Sequence, residues 1–209
     1  MAHGHGPDHD RTRDFHDQAT AEAARHLPDA PCHLIGHSFG ATLALRIALD
    51  QPARIASLTL FEPVLFCASN GPGRAAHDGH SAGLPRALAG GDTAAAARIF
   101  LDLWGTQSFD DLPERHRTYI TDRIWIPEVT EPALVYDRAH ILARLPRLMT
   151  PTLLLQGANS PPVVSEINTR LADDLPNAQC HTIPNAGHMA PITHTRQSGA
   201  AITAFLDRL

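Results

Sequence analysis

Apolar residues along the chain come in short unbroken runs separated by longer stretches of mixed polarity, and this alternation sets the first expectation. CHLIG (Cys32 to Gly36), IASLTLFEP (Ile55 to Pro63), PTLLLQG (Pro151 to Gly157) and AQCHTIP (Ala178 to Pro184) each read as a strand. IASLTLFEP is apolar at nearly every position, as expected where both faces of a parallel sheet are covered. Between these runs, Asp14 to Leu27, ATLALRIALD closed by Pro52, SEINTRLADDL and ITHTRQSGAAITAFLDRL carry helical patterning. Strands alternating with helices predict an α/β fold with a parallel sheet, in which ligands bind beyond the C-terminal ends of the strands. Ser38, Glu62, Gln156 and His188 all follow strand ends, which brings four distant residues to one edge of one sheet.

The middle of the chain breaks this rhythm. From Ala68 to Gly91 it is rich in Gly, Pro, Ala and His, including SNGPG and AGG, and reads as a flexible excursion. Three helices are then expected: DTAAAARIFLDLW, capped by Asp92 or Thr93 and ended by Gly105, then PERHRTYITDRI and EPALVYDRAHILARL, the latter two opening with Pro near the first turn. Residues 67–148 are therefore expected to form a helical cap inserted into a core made of residues 1–66 and 149–209.

Composition narrows the function. A chain of 209 residues, 43% apolar and 19% charged, can bury one substantial core. A net charge of −5 without clustered Arg argues against nucleic acid as a partner. No apolar run approaches the roughly 20 residues of a membrane-spanning helix, and MAHGHGPDHD lacks the basic-then-apolar pattern of a secretory leader, so a cytoplasmic location is expected. Cys32, Cys67 and Cys180 are odd in number, far apart and set in apolar segments, which suits reduced core thiols. His3, His5, Asp8, His9, Asp10 and His16 raise the question of a metal, but no following element is patterned to fix them as ligands, and a solvated terminus without metal is expected.

The chemistry lies in two motifs. GHSFG matches GxSxG between a strand and a helix, the context in which a strained turn presents a serine, and its glycines would relieve crowding two residues either side of Ser38. An ordinary βα turn, with Ser38 capping the helix, is the structural alternative. In both readings the helix N-terminus faces the site, and the Phe39 backbone N–H is an oxyanion donor in waiting. A serine hydroxyl needs a base, and His188, in NAGHMAP directly after the fourth strand, is the best-placed histidine. His181 lies inside a strand, and His37 either packs beneath the turn or, with Trp104 and Trp125, meets substrate.

The order GHSFG, helical insertion, PTLLLQG, NAGHMAP resembles the second half of an α/β-hydrolase domain over nearly the whole chain. The resemblance implies that fold, acyl-transfer chemistry by Ser38 and His188 without a cofactor, and a triad acid either after the strand matching PTLLLQG or one strand earlier. The later position falls in GANSPP, where Asn159 and Ser160 offer no carboxylate; Glu62, ending LTLFEP, fits the earlier one. Alternatives for the acid are a vacancy or Asp137. Family members also carry strands ahead of the nucleophile strand. AHGHG resembles the loop that follows one of them, so upstream residues are expected to have been lost, leaving CHLIG as an edge open to pairing, including with a second copy. The leading expectation is a serine hydrolase acting on an ester or related acyl bond of a small, apolar substrate. A binding protein that retains the fold without turnover is the alternative, and a metal-dependent hydrolase a distant third.

Overall fold

The computed structural model describes residues 9–209. Four strands, β1 (Cys32–His37), β2 (Ile55–Phe61), β3 (Thr152–Gly157) and β4 (Ala178–Ile183), form one parallel sheet in sequence order. Every strand falls where an apolar run predicts it. Helix α1 (Phe15–Arg25) precedes the sheet and is capped by the Asp14 carboxylate, which accepts from the Asp17 N–H. α2 (Phe39–Asp50) joins β1 to β2.

Strand side chains alternate between two cores. Leu58, Leu60 and Leu154 face α1, α2 and the helix after β3, whereas Phe61, Leu153, Leu155 and Ile183 face Phe205 of the last helix. The second core is smaller and covers only part of its face. Consequently Ile35 of β1 is 52% exposed, and β1 is a sheet edge among the described residues, although the apolar pattern of CHLIG suits a sheet interior. No helix among the described residues is long and apolar enough to cross a membrane.

Between β2 and β3 lie α3 (Pro72–Ser81), α4 (Leu84–Ala89), α5 (Thr93–Trp104), α6 (Glu114–Thr121), α7 (Ile126–Leu134) and α8 (Ile141–Arg144). Two expectations need correction here. The stretch read as an excursion is helical, because Pro72 opens α3 at a position needing no N–H and a distant carboxylate holds its first turn. That carboxylate is Glu166, from α9 (Pro162–Asp174), which accepts from the Gly73 N–H at 2.6 Å, the Arg74 N–H at 3.0 Å and the Ser69 hydroxyl. The helix assigned to EPALVYDRAHILARL divides instead: Pro132 sits inside α7, which starts five residues before it would have, and α8 begins afresh after Asp137 and His140 take left-handed backbone. The Asp137 carboxylate accepts from the N–H groups of Ile141 and Leu142, so it serves as a helix cap. α10 (Ala190–Thr193) and α11 (Thr195–Leu206) complete the chain.

Candidate active site

Ser38 stands between β1 and α2 with φ 56° and ψ −124°, a backbone state that costs a non-glycine residue roughly 1–3 kcal/mol. Flanking structure holds it there: the Ser38 N–H donates to the Phe61 carbonyl, and the Ala41 N–H donates to the Ser38 carbonyl. The two glycines of GHSFG contribute unequally, contrary to the symmetric expectation. A Cβ on Gly36 would lie 2.4 Å from the Gly40 carbonyl oxygen, whereas one on Gly40 would meet nothing within 4 Å. Only Gly36 is required for close approach, since it is the residue over which α2 begins.

Glu62 follows β2 immediately, in left-handed backbone with φ 47°, and is fully buried. One carboxylate oxygen accepts from the Gly157 N–H at 2.6 Å and from the Ser160 hydroxyl at 2.5 Å; the other lies 2.7 Å from Nδ1 of His188. His188, 7% exposed, places Nε2 3.0 Å from the Ser38 Oγ. With Nδ1–H donating to the Glu62 carboxylate, the Nε2 lone pair faces the serine hydroxyl. A continuous chain of hydrogen bonds thus runs from Ser38 through His188 to Glu62. The loop carrying His188 can pack onto the end of β3 because Gly157 lacks a side chain, whose Cβ would lie 2.3 Å from the Ala186 carbonyl oxygen.

Ser160 is the residue that sequence reasoning missed. It occupies the segment where the resemblance places a carboxylate, and it turns its hydroxyl onto Glu62. A signal was present: a hydroxyl standing beside a vacant acid position, one strand from a candidate acid. His37 is held behind the serine, its Nε2 donating to the His188 carbonyl at 2.9 Å with the two rings 4.8 Å apart. Burial holds His37 below the usual histidine range, and neighbouring His188 pushes it the same way.

Above Ser38 and Phe39 a cavity of about 740 Å³ opens into the helical segment. Trp104 and Phe100 line it, with the Trp104 ring 4.6 Å from that of His188. His37 and Trp125, expected at the substrate, do not line it. Trp125 packs edge-on against Phe15 and stacks on His9, because α7 carries it toward α1, away from the cavity. Phe39 heads α2 beside the serine, with its backbone N–H in the first turn. Asp137 is committed to the start of α8.

Of the histidine and aspartate cluster near the start, His3, His5 and Asp8 lie outside the described residues. The others separate: His16 is buried against Thr42, His9 packs on aromatics, and Asp10 binds Thr12. Burial depresses His16 to about 4. The cysteines are less buried than expected, and Cys180 is exposed because β4 is an edge strand. Burial pushes the Cys67 thiol up to about 12, which removes it as a nucleophile.

The chain is 29% identical over 192 residues to RutD of Variovorax paradoxus strain S110, provisionally named a carbamate hydrolase, covering 85% of this chain and 66% of that protein. It is 28% identical over 186 residues to the N-formylmaleamate deformylase of Pseudomonas putida KT2440, covering 84% and 63% respectively. A pimeloyl-acyl-carrier-protein methyl ester esterase of Methylococcus capsulatus is 29% identical over 215 residues, covering 98% of this chain and 80% of that protein. The chain thus spans about two thirds of the length of the first two relatives. Among solved structures, MenH from S. aureus superposes with a TM-score of 0.62 at 22% identity, covering 98% of this chain and 80% of that one. A hydrolase from Oleispira antarctica gives 0.68 at 16% identity, covering 93% and 71%. These structural likenesses carry the fold, and the sequence profile of the alpha/beta hydrolase family matches residues 2–198, nearly the whole chain. Four parallel strands bearing a strained serine after the first and a histidine after the last agree with that match: the chain belongs to the alpha/beta hydrolase family.

Proposed function

We propose that the chain is a serine hydrolase acting on ester or related acyl bonds of a small, largely apolar molecule. The observation that carries this is the hydrogen-bonded line from Ser38 to His188 to Glu62 at the floor of a cavity. Ser38 attacks the carbonyl as His188 Nε2 takes its proton, and the imidazolium forms against the Glu62 carboxylate. The Phe39 N–H, at the positive end of α2, receives the oxyanion. His188 then returns the proton to the leaving group, and water, activated by the same imidazole, releases the acyl group from Ser38. The helical segment, residues 67–148, acts as the cap that shapes the pocket through Phe100 and Trp104, beside Phe66 of the core.

The reading extends to a cytoplasmic location, supported by three cysteines that are all free thiols. Carbamate, ester and deformylation chemistries in the names of relatives all cleave an acyl carbon from a heteroatom, which the same residues can do. The test is a fluorophosphonate label and a short-chain p-nitrophenyl ester applied to the wild type, Ser38→Ala and His188→Ala. Labelling and turnover should vanish in both variants, with turnover falling on the order of 10⁶-fold. A folded wild-type chain that neither labels nor turns over would overturn the proposal.

A further inference from the structure

The cavity over Ser38 is lined by an imidazole from α3. His77 lines it, with its side chain 12% exposed, and lies flat on Phe66 with ring centroids 4.2 Å apart and planes at 27°. Its ring is 5.8 Å from that of Trp104, whose other neighbour is His188 at 4.6 Å. One indole therefore stands between the base proposed above and this second histidine.

His77 is oriented from behind. Its Nδ1 lies 3.1 Å from a carboxylate oxygen of Asp78, which Arg74 Nε engages at 2.8 and 2.9 Å. A carboxylate can only accept, so Nδ1 carries the proton and Nε2 keeps a lone pair. Nε2 has no hydrogen-bond partner among the described residues. Burial lowers His77 from the usual histidine range, which keeps the ring in its neutral, accepting form. Of the other polar groups of the cavity wall, Arg74 also donates to the Phe66 carbonyl and Thr130 to the Pro127 carbonyl, and Glu128 and Glu131 line the wall from α7.

We propose that His77, held by Asp78, is a specificity-determining residue that selects substrates bearing a neutral hydroxyl or N–H donor beyond the scissile bond. This rests on the reading of Ser38 as nucleophile. A fixed neutral acceptor set beside the Phe66 and Trp104 rings favours a group that donates there over its methylated analogue, since only the former leaves the Nε2 lone pair matched once substrate excludes water. Arg74, bound on its inner side to Asp78 and Phe66, supports the imidazole and is not assigned to substrate.

The experiment compares p-nitrophenyl 3-hydroxybutyrate and 6-hydroxyhexanoate with their methyl ethers, in the wild type, His77→Phe and His77→Gln. The wild type should favour one hydroxy ester over its ether by roughly tenfold in kcat/KM. His77→Phe, which keeps the stacking on Phe66, should bring that ratio to about one, and His77→Gln, which restores an acceptor, should recover part of it. Because the readout is a ratio within each protein, a general loss of activity leaves it legible. If no ester is turned over, the same pairs as amides are titrated against Ser38→Ala, where a preference of the same size in Kd, lost in Ser38→Ala/His77→Phe, supports the proposal. An unchanged ratio across the variants overturns it, as does a preference for the corresponding carboxylate-bearing acyl group, which would point to Arg74.

Discussion

The strand ends and the helical segment above them meet at one cavity but are held by different means. At the strand ends, Ser38 and Glu62 sit in left-handed backbone, and every polar atom that matters has a short, buried partner. In the helical segment, side chains are fixed by packing and by partly exposed pairs such as Arg74 with Asp78 and Arg98 with Asp110. Exposed pairs of this kind contribute little, because water screens their charges. The difference teaches a division of labour: strain and buried hydrogen bonds hold geometry where tenths of an ångström decide the chemistry, and a softer cover sets what fits beneath it. Damage below should therefore appear in kcat, and damage above in KM.

The sharpest break in that division is Glu62→Gln, which preserves size but lets the side chain donate toward Nδ1. It should reduce kcat by about 10⁴-fold with KM nearly unchanged, measured by steady-state kinetics. Next comes the glycine pair of the serine turn. Gly36→Ala should destabilise the chain by about 3 kcal/mol or more, because its Cβ meets backbone. Gly40→Ala, placed in a helix with open space, should stabilise it by about 0.5–1 kcal/mol. Urea unfolding of both variants reads this contrast, and equal effects would refute the asymmetry.

A third break uses pH. His16 packs edge-on against Phe39 and reaches the Thr42 hydroxyl, which in turn donates to the Phe39 carbonyl, so it belongs to the rigid region. Its folded-state value of about 4 lies below the ordinary 6.5, so the unfolded chain binds the proton first. The stability it contributes is complete above pH 6.5, declines as pH falls toward 4, and is flat below that. The loss is at most about 3 kcal/mol, and it should disappear from the difference between pH 7.5 and pH 4.5 unfolding curves in His16→Gln. The smallest effect belongs above: Glu166→Ala frees the first turn of α3, lowering Tm by roughly 2–4 °C and raising KM up to about fivefold with kcat retained. A matching fall in kcat would show that the cover also positions the reacting groups.

The same division governed what the sequence could tell. The strands, the serine turn and the positions of Glu62 and His188 were legible because each follows from a local pattern: an apolar run, a GxSxG between strand and helix, a residue just past a strand end. The helical segment was not. Nothing near SNGPG announces a helix, since the carboxylate that holds it belongs to Glu166, more than ninety positions away, and α7 was misplaced because packing tolerated Pro132 inside it. Ser160 escaped for a related reason, as its role exists only once β2 and β3 lie side by side.

The place of Glu62 has a consequence for how the site comes into being. Ser38 and Glu62 follow the ends of adjacent strands, His37 opposite Phe61, within a single strand-helix-strand unit. Closing that unit through α2 brings together positions only 24 apart, so this half of the site can assemble early, at lower entropic cost. His188 lies 150 residues beyond Ser38 in the chain. On a ribosome Ser38 and Glu62 emerge long before His188, and the hydrogen-bonded line that joins them cannot close until β4 docks. In refolding, the return of the proposed activity would therefore time the closing of the final strand and say nothing of the nucleus that began the process.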